Sequence, residues 1–283
     1  MIPALCYSFA PTSAWRRILF AACALLLAAC AAEPVQPTSE EAQVSVMEYV
    51  TRMHMEDRRG RFREIYCTVL EEHGRDLPDY RPCEAALTRV GEESGASGEP
   101  VPLGETGSDY LILMVPGLGW DCFEEWLGYQ QSGPRYVAGF GYDTRFVRVD
   151  GLSSTENNAR QIRDYIAGMP EEDAARPLIL MGYSKGAPDI LAAVAAYPEL
   201  AERVAAVVSL AGAVGGSPLA DDATQAHANL LTLVPGSACE KGDEGAVESL
   251  RTAVREQGLV DNPRPDGIRY YSVVTYPDPD HIS

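Results

Sequence analysis

Short apolar runs that alternate with helical stretches constrain the fold of this 283-residue chain more than any other feature of its sequence. Four of these runs lie at residues 110–115, 146–149, 178–181 and 204–210, and a fifth at 268–276 follows an insertion of about fifty residues. Runs of this length, apolar on both faces and separated by helices, are typical of a parallel sheet covered on both sides. The sequence therefore predicts an α/β fold with a mostly parallel sheet and helices on both faces.

Two segments carry clear helix signals. Ser153 and Glu156 have the spacing of a capping box, ahead of an amphipathic pattern at residues 159–166. Before the sheet, helical periodicity at residues 61–72 is followed by the turn-rich segment 74–82. We expect a helix at each of the two patterns.

The first thirty residues are interpreted as an export signal. Arg16 and Arg17 precede an apolar run that ends in Leu27-Ala28-Ala29-Cys30. The run is shorter than the roughly 20 residues that a membrane-spanning helix needs. Its last four residues resemble the lipobox of bacterial lipoprotein signals, which implies cleavage before Cys30 and lipidation of its thiol. We expect a lipid anchor on a bacterial membrane; a plain cleaved signal with an incidental cysteine is the alternative.

Export places the mature chain in an oxidising compartment, where an even set of cysteines favours disulfides. Beyond Cys30 this set is Cys67, Cys83, Cys122 and Cys239. We expect Cys67 to pair with Cys83, since both lie in the N-terminal segment, which leaves Cys122 for Cys239. Buried free thiols are the alternative. No CxxC spacing is present and the histidines lie far from the cysteines in sequence, so no metal site is expected.

Composition indicates the domain organisation, and net charge indicates which classes of partner are disfavoured. Residues 31–43, rich in Pro, Glu, Gln and Ala, are typical of a tether, and residues 91–108 of a linker. We expect a lipoprotein signal peptide at 1–29, a tether and helical N-terminal segment at 30–108, and the sheet domain at 109–283. Asp and Glu number 41 against 23 Lys and Arg, a net charge of −18, which opposes binding to nucleic acid. Nothing in the sequence indicates a cofactor.

Ser184 is the candidate nucleophile. It is the centre of Gly182-Tyr183-Ser184-Lys185-Gly186, a GxSxG motif directly after the third apolar run and directly before a helical pattern. In a strand–turn–helix of this kind the serine occupies a tight, strained turn, and the glycines on either side let neighbouring backbones pack closely around it. The helix N-terminus favours the negative charge that develops on attack. An ordinary serine in a βα turn is the alternative.

A second motif follows the first apolar run. Pro116-Gly117-Leu118-Gly119 cannot continue a strand and exposes backbone amides. The amides of Leu118 and Lys185 are the simplest pair of donors for an oxyanion hole, and a glycine-rich loop without a ligand is the alternative. Nearby aromatic residues are expected to form either one wall of an apolar substrate pocket or part of a helix core: Trp120, Phe123 and Trp126.

With both motifs in this order, residues 109–283 resemble the α/β-hydrolase superfamily, and within it the lipases and esterases. The resemblance implies that Ser184 is the nucleophile and that the triad acid follows the fifth strand. Asp280 is the expected acid and Asp278 the second choice. An acid after the preceding strand occurs in a variant of the superfamily, where Asp221 or Asp222 would serve. The insertion at residues 217–267 occupies the usual place of a lid.

None of the four histidines lies where this pattern places the triad base. His281 adjoins Asp280 in sequence, His227 lies in the insertion, and His54 and His73 precede the sheet. Because a general base is indispensable to a serine nucleophile, we expect the reading frame to continue past Ser283 through a further strand and a loop histidine. A chain that ended there would be inactive.

The sequence therefore predicts an exported, lipid-anchored serine hydrolase. Its expected substrates are small-molecule or lipid carboxylic esters, cleaved through an acyl-enzyme on Ser184. Two alternatives stay open: a non-catalytic binding lipoprotein that keeps the fold, and an acyltransferase or peptidase that uses the same serine.

Overall fold

The computed structural model describes residues 55–89, 93–104, 107, 109–123, 137–234 and 236–274. The chain divides between Glu99 and Pro100 into two compact units. The predicted signal peptide lies outside the described residues, together with several side chains singled out above: Cys30, His54, Trp126, Asp278, Asp280 and His281.

The N-terminal unit contains the helices α1 (Arg59–His73) and α2 (Cys83–Ala86). Helix α1 confirms the helical pattern predicted for residues 61–72, and turns follow it as expected. A disulfide between Cys67 and Cys83 joins the two helices. The buried guanidinium of Arg63 pairs with Glu93 at 2.7 Å. A disulfide and a buried ion pair thus link the described parts of this unit, in which no apolar side chain is among the buried ones.

The second unit is built on a five-stranded sheet in which every described pairing is parallel. Its strands follow one another in space as β2-β1-β3-β4-β5. Their bounds are Leu111–Val115 for β1, Asp143–Phe146 for β2, Leu178–Tyr183 for β3, Val204–Leu210 for β4 and Arg269–Val273 for β5. The predicted α/β class with a parallel sheet is confirmed.

Strand β2 differs from its prediction. The apolar run at 146–149 predicts the strand there, whereas the paired residues are the more polar Asp143–Phe146, in register with β1 from Leu111 onward. Val147 and Val149 are buried beyond the end of the ladder, and the Val147 amide still donates to the Met114 carbonyl at 2.9 Å. The apolar run at 146–149 therefore marks buried residues, whereas β2, at the edge of the described sheet, pairs with β1 through more polar residues.

Helices cover the sheet face to which Leu111 and Leu113 point. Helix α3 (Thr155–Ala167) follows β2 and contributes Ile162, and α5 (Gly186–Ala196) follows β3 and contributes Ile190; all four side chains belong to one buried cluster. The short helices α4 (Glu171–Ala174) and α6 (Pro198–Ala201) precede β3 and β4. The parallel pairing of Val115 with Gly182 places the C-terminal ends of β1 and β3 side by side.

The cap of α3 also differs from its prediction by one residue. Ser154 is the N-cap, and its side chain accepts a hydrogen bond from the Asn157 amide at 3.1 Å. Ser153 is fully buried and its hydroxyl instead accepts from the Asp243 amide at 3.0 Å. The first serine therefore joins α3 to the insertion, and its neighbour takes the capping role.

The insertion between β4 and β5 is mostly helical. It contains α7 (Pro218–Asp222), α8 (Gln225–Asn229), a 3-10 turn (Leu230–Leu233), α9 (Ala246–Ser249) and α10 (Thr252–Asp261). A second, smaller buried cluster joins Leu152, before α3, to Val247 and Leu250. In the part of the chain that the structure describes, no helix has the length and apolarity to cross a membrane.

Candidate active site

Ser184 lies in a strained turn between β3 and α5. Its φ is 52°, a left-handed conformation that a residue other than glycine adopts at a cost of about 1–3 kcal/mol. The Ser184 amide donates to the Leu210 carbonyl at 3.1 Å, and its carbonyl accepts from the amides of Ala187 at 3.2 Å and Ala213 at 3.1 Å. The surrounding backbone therefore holds the strained conformation in place.

The glycines of the GxSxG motif are explained by close backbone contacts. A β-carbon on Gly182 would lie 2.5 Å from the amide nitrogen of Ala187. A β-carbon on Gly186 would collide with the carbonyl oxygen of Val115, the last residue of β1. Neither position accepts a side chain without movement of the backbone, so the turn and the end of β1 are in direct contact.

The second motif lies beside the serine. A β-carbon on Gly117 would lie 3.0 Å from the Ser184 Cβ, and the Gly119 amide is held by the Gly151 carbonyl at 3.1 Å. Among the described residues, none accepts a hydrogen bond from the amide of Leu118 or from that of Lys185. Two such donors next to a serine hydroxyl have the composition of an oxyanion hole.

The side chain of Lys185 points into the protein, a feature that the sequence reasoning missed. It is 1% exposed, and its Nζ lies 2.9 Å from each carboxylate oxygen of Asp189. Asn158 of α3 donates to the same carboxylate at 2.8 Å. Burial raises the pKa of Asp189 against the opposing effects of Lys185 and Asn158. The spacing of Lys185 and Asp189, one helical turn apart, was the available signal.

Asp221, one of the alternative triad acids, caps a helix. Its carboxylate accepts from the amide of Thr252 at 2.9 Å and from its hydroxyl at 2.8 Å, at the first turn of α10. These hydrogen bonds hold the pKa of Asp221 below its ordinary value. His227 also has a capping role, since its Nδ1 accepts from the Thr224 amide at 3.1 Å.

A disulfide between Cys122 and Cys239 ties the insertion to the segment after residues 116–119, the turn that carries the candidate oxyanion donor of Leu118 and is called the oxyanion turn below. Two hydrogen bonds reinforce it: the Ala238 amide donates to the Cys122 carbonyl at 3.2 Å, and the Glu240 amide to Asp121 at 2.9 Å. With the bridge in the N-terminal unit, both predicted disulfides are present. They are compatible with an exported protein.

A cavity of about 480 Å³ opens beside the oxyanion turn. Its walls come from the turn, from the residues at and after the end of β2, and from the insertion: Pro116, Trp120, Asp121, Phe146, Val147, Arg148, Val149, Asp150, Gln161, Ala238 and Glu240. Of the three aromatic residues expected at a pocket wall, Trp120 lines this cavity, Phe123 is not among its described lining residues, and Trp126 is outside the described part. Within the described ranges, no three His, Cys, Asp or Glu side chains form a group that could hold a metal ion.

No protein-family model matches this sequence, and neither does any curated protein. Among solved structures, the metagenomic carboxyl esterase MGS0156 is 33% identical, over 82% of this chain and 73% of its own, with a TM-score of 0.72. The chain belongs to the same α/β-hydrolase family. The mature lipase BlEst2 of Bacillus licheniformis is also similar to this hydrolase, at 22% identity over 62% of this chain and 69% of its own, with a TM-score of 0.46.

Proposed function

We propose that this hydrolase cleaves carboxylic esters through an acyl-enzyme on Ser184. The observation that supports this most is the strained φ of 52° at Ser184, on a turn that also carries the Lys185 amide and lies against Gly117, the residue before Leu118. Strain of this kind is concentrated at functional sites. The name of MGS0156, a carboxyl esterase, agrees with the same reaction class.

In the proposed reaction the Ser184 hydroxyl attacks the ester carbonyl and gives its proton to a general base. The carbonyl oxygen becomes negatively charged and accepts hydrogen bonds from the amides of Leu118 and Lys185. When the C–O bond breaks, the alcohol leaves with that proton and the acyl group stays on Ser184. Water, activated by the same base, then releases the carboxylic acid and restores the serine.

The base and its acid are proposed from outside the described residues. An imidazole is the expected base, because its ordinary pKa is close to neutral, and Asp280 is the proposed acid that orients it. Asp278 stays the second choice. Asp221 is a weaker candidate than either, because its two carboxylate oxygens are both engaged at the start of α10.

The cavity beside the turn supports a substrate class, and Ser184 itself is not among the described residues that line it. Its wall combines apolar side chains such as Trp120 and Val147 with carboxylates such as Asp121 and Asp150. A cavity of about 480 Å³ falls within the size range of small-molecule sites. We therefore propose a small-molecule or lipid ester as the substrate, with the helical insertion at residues 217–267 acting as the lid.

The mature protein is proposed to be held to a bacterial membrane by a lipid on Cys30. Growth of producing cells with an alkyne fatty acid should label the wild-type protein and leave Cys30→Ala unlabelled. Release of the unlabelled variant from the membrane fraction is expected as well. Equal labelling of the two would contradict the anchor without touching the esterase proposal.

The esterase proposal is tested with a fluorophosphonate probe and a series of p-nitrophenyl esters. The full-length protein should hydrolyse the esters and form one adduct, which peptide mapping places on Ser184. A protein that binds esters but neither turns them over nor reacts with the probe would be a binding lipoprotein. Transfer of the acyl group to an added alcohol in preference to water would indicate an acyltransferase.

A further inference from the structure

We propose that the buried contact between Lys185 and Asp189 positions the amide that binds the oxyanion. Lys185 would then serve the reaction twice: its N–H binds the oxyanion, and its side chain holds that N–H in place. The inference rests on the proposed esterase function and extends it to a positioning residue, Asp189.

Lys185 occupies the position next to the proposed nucleophile. It directly follows Ser184 and already has helical angles, with φ −59° and ψ −29°. Its ammonium lies 2.9 Å from both oxygens of Asp189, one turn further along α5. The peptide that joins Ser184 to Lys185 is therefore anchored from the protein interior by a side chain that has no access to solvent.

Asp189 is itself held in place by a side chain of another helix. Asn158 of α3 donates one hydrogen bond to the Asp189 carboxylate at 2.8 Å and another to the Asp150 carbonyl, beyond the end of β2, at 3.2 Å. Arg255 of α10, which is also buried, adds positive charge near Asp189. The Lys185 side chain is thus connected through α5 and α3 to the residues that line the cavity.

The energy of a buried ion pair also favours a role beyond stability. A buried ion pair loses so much hydration that well-packed apolar side chains of similar volume are often as stabilising or more so. Stability alone therefore gives little reason for two charged groups at this position. The choice of residue is also specific: only two of the 23 basic residues are lysines, and one of them is the buried Lys185. Arginine is the residue usually found in buried ion pairs, as Arg63 is with Glu93, so a buried lysine is an unusual choice at this position.

The test compares one double substitution with a single control substitution in the full-length protein. Lys185→Met with Asp189→Leu removes both charges and keeps similar side-chain volumes. We expect this double variant to melt close to the wild type or above it, with an unchanged KM for p-nitrophenyl butyrate and a kcat lower by about 10- to 100-fold, because the oxyanion donor is displaced. Arg58→Met, at the exposed pair with Glu56 and outside the proposed site, is the control and should keep the wild-type kcat.

A second measurement separates positioning from general damage. An aryl trifluoromethyl ketone forms an oxyanion on the serine, so its affinity should fall by the same factor as kcat in the double variant. Full activity of a folded double variant would overturn the inference, and so would its failure to fold, since the ion pair would then be a stability element. A wild-type protein without esterase activity or probe labelling would contradict the proposed function itself, a result distinct from both.

Discussion

Gly117 and Ser184 face each other so closely that a β-carbon on the glycine would lie 3.0 Å from the Ser184 Cβ and 3.3 Å from the Tyr183 carbonyl oxygen. Gly117→Ala should therefore push the oxyanion turn away from the serine. We expect kcat for p-nitrophenyl butyrate to fall at least about 10-fold. The expected loss of stability is about 1–3 kcal/mol, as is typical of overpacking.

The matched control for this substitution is Gly215→Ala. A β-carbon at Gly215 would meet no atom within 4 Å, so the variant should keep the wild-type kcat. If Gly117→Ala were as active as Gly215→Ala, the turn would not take part in the reaction.

Because the backbone at Ser184 is strained, substitutions there should affect activity and stability differently. Ser184→Gly and Ser184→Ala should both lose hydrolysis, since neither has a hydroxyl. Because glycine adopts a φ of 52° without steric cost, Ser184→Gly should be more stable than Ser184→Ala by about 1 kcal/mol in urea unfolding. Ala211, with a φ of 45°, is the control: Ala211→Gly should gain similar stability and stay active. Residual hydrolysis by Ser184→Ala would mean that another group is the nucleophile.

Removal of the two disulfides should lower the free energy of unfolding by different amounts. Cys122 and Cys239 are 117 residues apart, so replacing both with alanine should lower the free energy of unfolding by about 4–5 kcal/mol on the chain-entropy model. The separation of 16 between Cys67 and Cys83 corresponds to about 3 kcal/mol on the same model. We expect only the first replacement to reduce kcat strongly, because that bridge adjoins the oxyanion turn. Peptide mapping without reduction checks both pairings, and a freely alkylated Cys122 would rule its bridge out.

Asp221 predicts a pH-dependent contribution to stability. Its pKa is lower in the folded protein than in the unfolded chain, so its stabilising effect is complete above the ordinary pKa near 4 and is lost as the pH falls through the folded value. The Tm of Asp221→Asn should therefore lie below that of the wild type at pH 7, and the two should converge below about pH 4. Asp222→Asn, at the neighbouring exposed residue, is the control and should leave Tm close to that of the wild type at pH 7.

Substitutions of Asp221 and of Asp280 distinguish between the candidate triad acids. Asp221→Asn should retain most of the wild-type kcat, whereas Asp280→Asn should lower it by about 10²- to 10⁴-fold, because an imidazole base would lose its orienting partner. A large loss of kcat in Asp221→Asn, with little change in Tm, would reverse this assignment.

Much of the sheet could be predicted because burial and pairing coincide in its central strands. In β1, β3 and β4 the paired residues are themselves apolar, so the hydrophobic runs mark the strands. In β2 they do not coincide: Asp143 and Arg145 form the ladder, and ion pairs with Arg176 and Asp173 satisfy their charges. Such a strand has no hydrophobic signal, and its predicted position was three residues too late.

The candidate site was predictable where backbone contacts dictate the residue type. Gly182 and Gly186 are glycines because neighbouring backbone atoms leave no room for a side chain, and this requirement is visible in the motif. The buried pair of Lys185 and Asp189 was not predicted, since charged residues are normally assigned to the surface. Its only sequence signal, a spacing of four residues, is shared with many exposed helical pairs.

The contact between Gly186 and the carbonyl oxygen of Val115 has a consequence for the evolution and engineering of this protein. It fixes the turn at Ser184 to the sheet through main-chain atoms, so the position of Ser184 does not depend on the side chains of the insertion. Leu219, Leu230 and Leu233 of the insertion are largely exposed and make little contribution to the core. Substitutions at these three positions should therefore leave the core and the Ser184 turn intact, which makes the insertion a suitable starting point for directed evolution.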